Sequence, residues 1–219
     1  MTNSLLNQLS PFSATALNYG NADYDVRHSL NASYVWDLPV KFQNRALNAI
    51  AGGWTVSGTL FYRAGLPFSV TDGAATGNVA NGGLNLFNAT VLGQPITTVP
   101  LDCGASAVNS ACLTASQFSS TETTFGTVPR NSFRGPGYFN TDLGLKKSFR
   151  LNERLSFTLG ANAYNILNHP NFANPVSDLS SSAFGTIINA VQPPTSPYGA
   201  FAAAATDARI VQVMGRINF

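Results

Sequence analysis

Ala208-Arg-Ile-Val-Gln-Val-Met-Gly-Arg-Ile-Asn-Phe219 ends the chain. In an extended strand, successive side chains point to opposite faces. Val211, Val213, Gly215, Ile217 and Phe219 then share one face, and Gln212, Met214, Arg216 and Asn218 share the other. One face is apolar and the other is polar. The final residue is an aromatic on the apolar face.

The same period of two recurs upstream in four more segments. Leu30, Ala32, Tyr34, Trp36 and Leu38 oppose Arg27, Ser29, Asn31, Ser33 and Asp37. Trp54, Val56, Gly58, Leu60 and Tyr62 oppose Thr55, Ser57, Thr59 and Arg63. Phe139, Thr141, Leu143, Leu145 and Phe149 oppose Asn140, Asp142, Lys146, Ser148 and Arg150. Leu155, Phe157, Leu159, Ala161 and Ala163 oppose Ser156, Thr158, Asn162 and Tyr164. Arg27, Asp37, Arg63, Asp142, Lys146, Arg150 and Arg216 all fall on polar faces. Lys147 and Arg209 break the rule, each near a strand end, where a long stem can carry its charge to a polar boundary.

Charged residues make up 10% of the 219 positions, against about a quarter in an average soluble domain. Ser, Thr, Asn and Gly take their place, which suits a polar, weakly charged interior and long neutral loops. A net charge of +2 with scattered basic residues points away from nucleic acid. No apolar run is long enough for a transmembrane helix. The N-terminus lacks the basic and apolar regions of a signal peptide, so an exported chain of this kind is expected to be part of something longer.

Alternation alone fits two folds. A soluble sandwich turns its apolar faces inward, and a membrane barrel turns them outward. The segments run to about 11 to 14 residues, near the length of a tilted membrane-crossing strand. Trp36, Trp54, Tyr62, Phe139, Phe149, Phe157 and Phe219 gather toward strand ends on the apolar face, as interfacial girdles do. Connections alternate between shorter turns (Pro39 to Gly53, Leu151 to Arg154) and long stretches rich in Gly, Pro, Ser, Thr and Asn (about 64–137 and 169–207). Short turns on one side and long loops on the other are the habit of outer-membrane barrels. The expected fold is all-β, an antiparallel up-and-down transmembrane β-barrel segment of about five long strands, an incomplete barrel with long extracellular loops.

Asp23-Tyr-Asp-Val-Arg-His28, Trp36-Asp-Leu-Pro39, Gly53-Trp54 and Arg63-Ala-Gly-Leu-Pro-Phe-Ser-Val70 follow one another in order. Asn131-Ser-Phe-Arg-Gly-Pro-Gly-Tyr138, Asp142-Leu-Gly-Leu-Lys-Lys-Ser-Phe149 and Asn165-Ile-Leu-Asn-His-Pro-Asn-Phe172 complete the series. From about Asp23 to Phe219 the chain resembles the C-terminal barrel of TonB-dependent receptors, in particular the Oar-like group with a carboxypeptidase-regulatory-like domain. The resemblance implies a bacterial outer-membrane barrel of about 22 strands with a plug, taking up an extracellular ligand with energy from the TonB complex. The chain has neither a plug nor a TonB-binding segment, so TonB would act through a missing N-terminal part. On this view residues 1–25 are an outer loop and residues 26–219 are the C-terminal part of the barrel.

The candidate sites follow. Cys103 and Cys112, the two cysteines, are a candidate loop disulfide. Val211, Val213, Gly215, Ile217 and Phe219 resemble the signal read by the barrel-assembly machinery, which can engage a strand by edge addition. Arg27, Asp37, Arg63, Asp142, Lys146, Arg150 and Arg216 are expected to line the lumen, pairing with one another or with a plug. Asn165 to Phe172 with His169, and Arg134-Gly-Pro-Gly137, read as turns more readily than as ligand contacts. Asp23, Asp25, Arg27 and His28 read as a rim network. No phosphate loop, zinc spacing or catalytic triad stands out, so neither enzyme activity nor a cofactor is expected. Outer-membrane lipid is the expected surrounding, and the extracellular ligand is unspecified.

Overall fold

In the computed structural model, residues 19–72, 87–88, 90–91, 109–119, 128–150, 152–191, 203–204 and 208–219 are described. One antiparallel sheet dominates them. Its strands are β1 (Ser29–Asp37), β2 (Trp54–Arg63), β3 (Tyr138–Arg150), β4 (Ser156–Tyr164) and β5 (Ile210–Asn218), and they lie side by side in chain order. Each strand follows one of the alternating sequence segments. The sheet is open, with β1 and β5 at its two edges.

The register decides what the alternation means. Trp36 stands beside Val56, Val56 beside Leu145, Leu145 beside Ala161, and Ala161 beside Val213. Residues directly opposite in an antiparallel pair share a face. The five apolar faces are therefore one continuous apolar face, and the five polar faces are one polar face. A slip of one residue at any ladder would have mixed them.

Apart from the end of one short helix over Lys147, nothing among the described residues covers that apolar face. Leu30 is 55% exposed, Val213 71% and Ile217 61%. A soluble sandwich would bury these side chains against a second sheet, so the sandwich alternative fails on this geometry. The face is smoothed by its own side chains. Tyr34 lies across Gly58, where a Cβ would come within 2.6 Å of the ring, so glycine lets the ring lie flat on the neighbouring strand.

The strands have 9, 10, 13, 9 and 9 residues, shorter than the segments suggested by alternation. Pairing fades through single backbone bonds beyond the ends, from Leu38 N to Trp54 O and from Ala64 N to His28 O. Pro39 has no N–H to continue the ladder. Strands of about 9 to 11 residues still suffice to cross a bilayer when tilted.

Short connections lie at one end of the sheet. The β3–β4 connection is a tight turn in which the Asn152 side chain accepts from the Arg154 and Leu155 amides. The β1–β2 connection holds a helix absent from the sequence reading, α1 (Arg45–Ala51). Asn44 caps it by accepting from Ala46 N at 2.9 Å and Leu47 N at 3.2 Å.

The long connections meet at the opposite end and build a cap. Phe68, Val70, Leu113, Phe118, Val128 and Phe133 from the β2–β3 connection pack with Phe184 from the β4–β5 connection into one buried cluster. Phe133 lies 5.7 Å from Phe68 and 6.0 Å from Phe118, and Phe118 meets Phe184 edge-on at 5.5 Å. Backbone bonds from Thr71 N to Ser177 O and from Leu179 N to Thr71 O stitch the two connections together. At the neck, a Cβ on Gly65 would fall 1.7 Å from Gly135 O, so two chain segments approach closely where only glycine fits.

Candidate functional site

The polar face spreads its charges over several rows, with Asp37 and Lys146 in the same one. Ser29, Arg63 and Tyr138 form the row nearest the cap. Ser33, Thr59 and Asp142 stand in the middle, and Asp37, Thr55 and Lys146 lie nearer the turns. Arg216 stands beside Thr158, and Arg150 beside Ser156. The sheet thus spreads these charges along the whole face and does not gather them into one centre. Arg27 lies just before β1, outside the ladder.

Among the described residues, Asp37, Asp142 and Arg63 have uncharged partners. Asp37 accepts from the Thr55 hydroxyl at 2.6 Å. Asp142 accepts from Asn140 Nδ2 at 2.8 Å, from Asn165 N at 3.0 Å and from Thr59 Oγ1 at 3.3 Å. Arg63 is 5% exposed; it donates to Ala64 O and its guanidinium lies 5.5 Å from the Tyr138 ring centre. Thr55 and Thr59 stand directly opposite Asp37 and Asp142, and Asn140 lies two residues along the same strand as Asp142.

Where this face meets the cap there is a cavity of about 690 Å³. Its wall is Ser29, Asn31, Phe61 and Arg63 from β1 and β2, with Asn21, Ala22, Tyr24, Asp25 and Val26 from the segment before β1. Phe61 and Tyr24 give it apolar surface, and Arg63, Asp25 and the two asparagines give it polar groups. A few placed polar groups in an aromatic-walled recess is the usual build of a small-molecule site. A second, separate recess of about 340 Å³ lies further down the face at Ser33, Thr59, Asp142 and Asn162.

The wall before β1 is fixed to the cap by groups whose roles the sequence did not reveal. Arg134 is buried and donates to the Asp25 carboxylate, to Asp25 O at 3.2 Å and to Gly65 O at 3.0 Å. Arg130 pairs with Asp23 at 3.3 Å. Asn131, in the left-handed region at φ 53°, donates through Nδ2 to Asn21 O and to Asp23 Oδ1, both at 2.6 Å. Asp23 and Asp25 therefore belong to a rim network, but their partners lie in Arg130-Asn-Ser-Phe-Arg134. Two acids two apart and two arginines four apart were the available signal.

The segment after β4 is a turn made by asparagines. Asn165 accepts from His169 N at 2.9 Å and donates to His169 O at 3.0 Å. Asn171 accepts from Phe139 N at 2.8 Å. Asn165 and Asn168 both have positive φ, which asparagine tolerates. The His169 ring is exposed and stands edge-on to Phe139 at 5.4 Å.

Lys147 is the exception on the apolar face, and its charge is satisfied there. It is 5% exposed; Nζ donates to Ile50 O at 3.1 Å and to Gly52 O, and lies 5.1 Å and 5.7 Å from the Phe149 and Trp54 ring centres. Val211, Val213, Gly215 and Ile217 lie together on the apolar face of edge strand β5, with Phe219 one residue beyond it and fully exposed. Cys112 is disulfide-bonded. Cys103, the other cysteine, lies outside the described residues.

An open antiparallel sheet with an uncovered apolar face, a weakly charged polar face and all long connections at one end is a section of transmembrane β-barrel wall. The chain belongs to the outer membrane beta barrel domain family, whose model matches residues 2–212. Its place is the bacterial outer membrane, where an exposed apolar sheet face turns toward lipid. No curated protein matches the chain, and no solved structure does.

Proposed function

We propose that this chain is the C-terminal section of a TonB-dependent receptor, with its cap and rim cavity at the extracellular end. The observation that carries the reading is the cap. Both long connections and the segment before β1 fold together at one end of the wall, over a recess on the polar face. Loops that served only to join strands would not need a seven-residue hydrophobic core. The turns and α1 then lie at the periplasmic end. The recess would bind a ligand with an aromatic or apolar body and a group for Arg63, and it performs no chemistry on it. The series of motifs from Asp23 to Phe172 supports the receptor type. In such a receptor, a plug and the remaining strands would come from other parts of the protein.

The test is to extract the protein from native outer membranes, measure its intact mass, and pass it over the immobilised periplasmic domain of TonB from the same bacterium. A mass several times 23.1 kDa with retention supports the receptor. A product near 23.1 kDa that is not retained overturns it in favour of a small structural or adhesive barrel.

A further inference from the structure

We infer that α1 is an in-plane interfacial helix, lying on the lipid side of the barrel wall and binding the headgroup region of an anionic phospholipid leaflet. The inference rests on the apolar face being the lipid face, and not on the receptor reading.

The position of α1 is fixed by two side chains of the apolar face. Trp54 Nε1 donates to Ile50 O at 3.0 Å, and Lys147 Nζ donates to Ile50 O and Gly52 O. Both carbonyls are at the C-terminal end of α1, where a cation is favoured. A lysine ammonium facing hydrocarbon is costly. The end of α1 covers it, so the helix must sit against the outside of the wall and not beneath the lumen.

Among the described residues, nothing buries that helix. None of its residues is buried. Leu47 is 47% exposed and Ile50 70%, and Val40 and Phe42 just before it are also exposed. At about 100° per residue, Leu47 and Ile50 point to one side with Ala46 and Ala51, while Arg45 and Asn48 point to the other. An isolated helix this short is marginal in water. Amphipathic helices of this pattern lie in the membrane interface, with the apolar side among acyl chains.

Charge selects the leaflet chemistry. From Leu38 to Gly53 the charged residues are Lys41 and Arg45, both cationic, and no acidic residue intervenes. Lys41 stands between the exposed Val40 and Phe42, so a cation lies next to apolar side chains in this connection. Each such cation near an anionic surface adds attraction that fades within a Debye length. The apolar patch is continuous with the lipid face through Trp36 and Trp54, the two tryptophans, at the same end of the sheet. Tryptophan is the residue favoured at that depth.

The experiment uses the full-length protein, with its disulfide oxidised, reconstituted into phosphatidylcholine vesicles with or without phosphatidylglycerol. Nitroxide labels are placed at Ile50→Cys and, as a reference on the sheet, at Val213→Cys. Collision rates with dissolved oxygen, which enters lipid, and with a neutral nickel chelate, which stays in water, give the depth of each label. The expected result is oxygen-dominated collision at both sites, shallower at Ile50 than at Val213. Phosphatidylglycerol should draw Ile50 several-fold further from the chelate, and the Lys41→Gln, Arg45→Gln double variant should abolish that dependence. Chelate-dominated collision at Ile50, with Val213 still in lipid, would overturn the interfacial helix and leave the wall intact. Chelate-dominated collision at both would overturn the lipid face as well. Leu47→Cys, on the same side of α1, repeats the measurement if the first label disturbs the helix.

Discussion

Val213→Arg should destabilise the folded barrel by about 2–4 kcal/mol, the cost of a cation on the lipid face near the bilayer midplane. Val213 stands mid-strand on the apolar face of β5 and is 71% exposed. Its neighbour Gln212 points to the polar face, so Gln212→Arg should cost about 0–0.5 kcal/mol, as surface changes do. Ile217 faces the same way as Val213 but lies nearer the strand end, where the cost falls to about 0–1 kcal/mol. Three arginines within six positions are thus expected to differ by face and then by depth. The assay is urea unfolding of the full-length protein in vesicles, followed by loss of the heat-dependent shift in electrophoretic mobility. Equal, small effects at Val213 and Gln212 would refute the reasoning. In water, an arginine at a 71% exposed site meets no penalty, so equality would mean that the face sees solvent.

Phe133→Ala removes the centre of the cap core and should cost about 3–5 kcal/mol of cap stability; surface proteolysis of intact cells should accelerate while the barrel keeps its heat shift. Arg134→Met leaves the Asp25 carboxylate without its partner. Because Asp25 is 40% exposed, the loss should be about 2 kcal/mol, below the range for a fully buried pair, and should appear as faster cleavage between residues 21 and 28. Phe219→Ala, or deletion of Phe219, should reduce outer-membrane assembly of the full-length protein in a fractionation experiment, and unchanged assembly would count against an assembly signal at this strand.

The wall was readable because strand geometry writes itself into sequence with a period of two. Trp54, Val56, Gly58, Leu60 and Tyr62 identify their face without knowledge of any partner, and the register then places all five faces together. The cap was not readable for the opposite reason. Phe68, Leu113, Phe118, Phe133 and Phe184 are single apolar residues among Ser, Thr, Asn and Gly, with no period to join them. Their core is made by contacts far apart in sequence, as is the link from Arg134 to Asp25. Lys147 was visible as an exception to the pattern, but its explanation lies in backbone carbonyls of Ile50 and Gly52. Such acceptors carry no side-chain signature. Helix α1 was missed because seven residues are too few to establish a helical period, although Asn44 is a favoured N-cap.

The central claim is that the five-stranded sheet is membrane wall in the outer membrane. The most direct measurement is fractionation of the native envelope, blotted with an antibody to the cap between residues 64 and 137, with heated and unheated samples side by side. The account expects an outer-membrane band that migrates differently before and after heating, as a closed barrel does. A band in the soluble fraction, unchanged by heating, would contradict it.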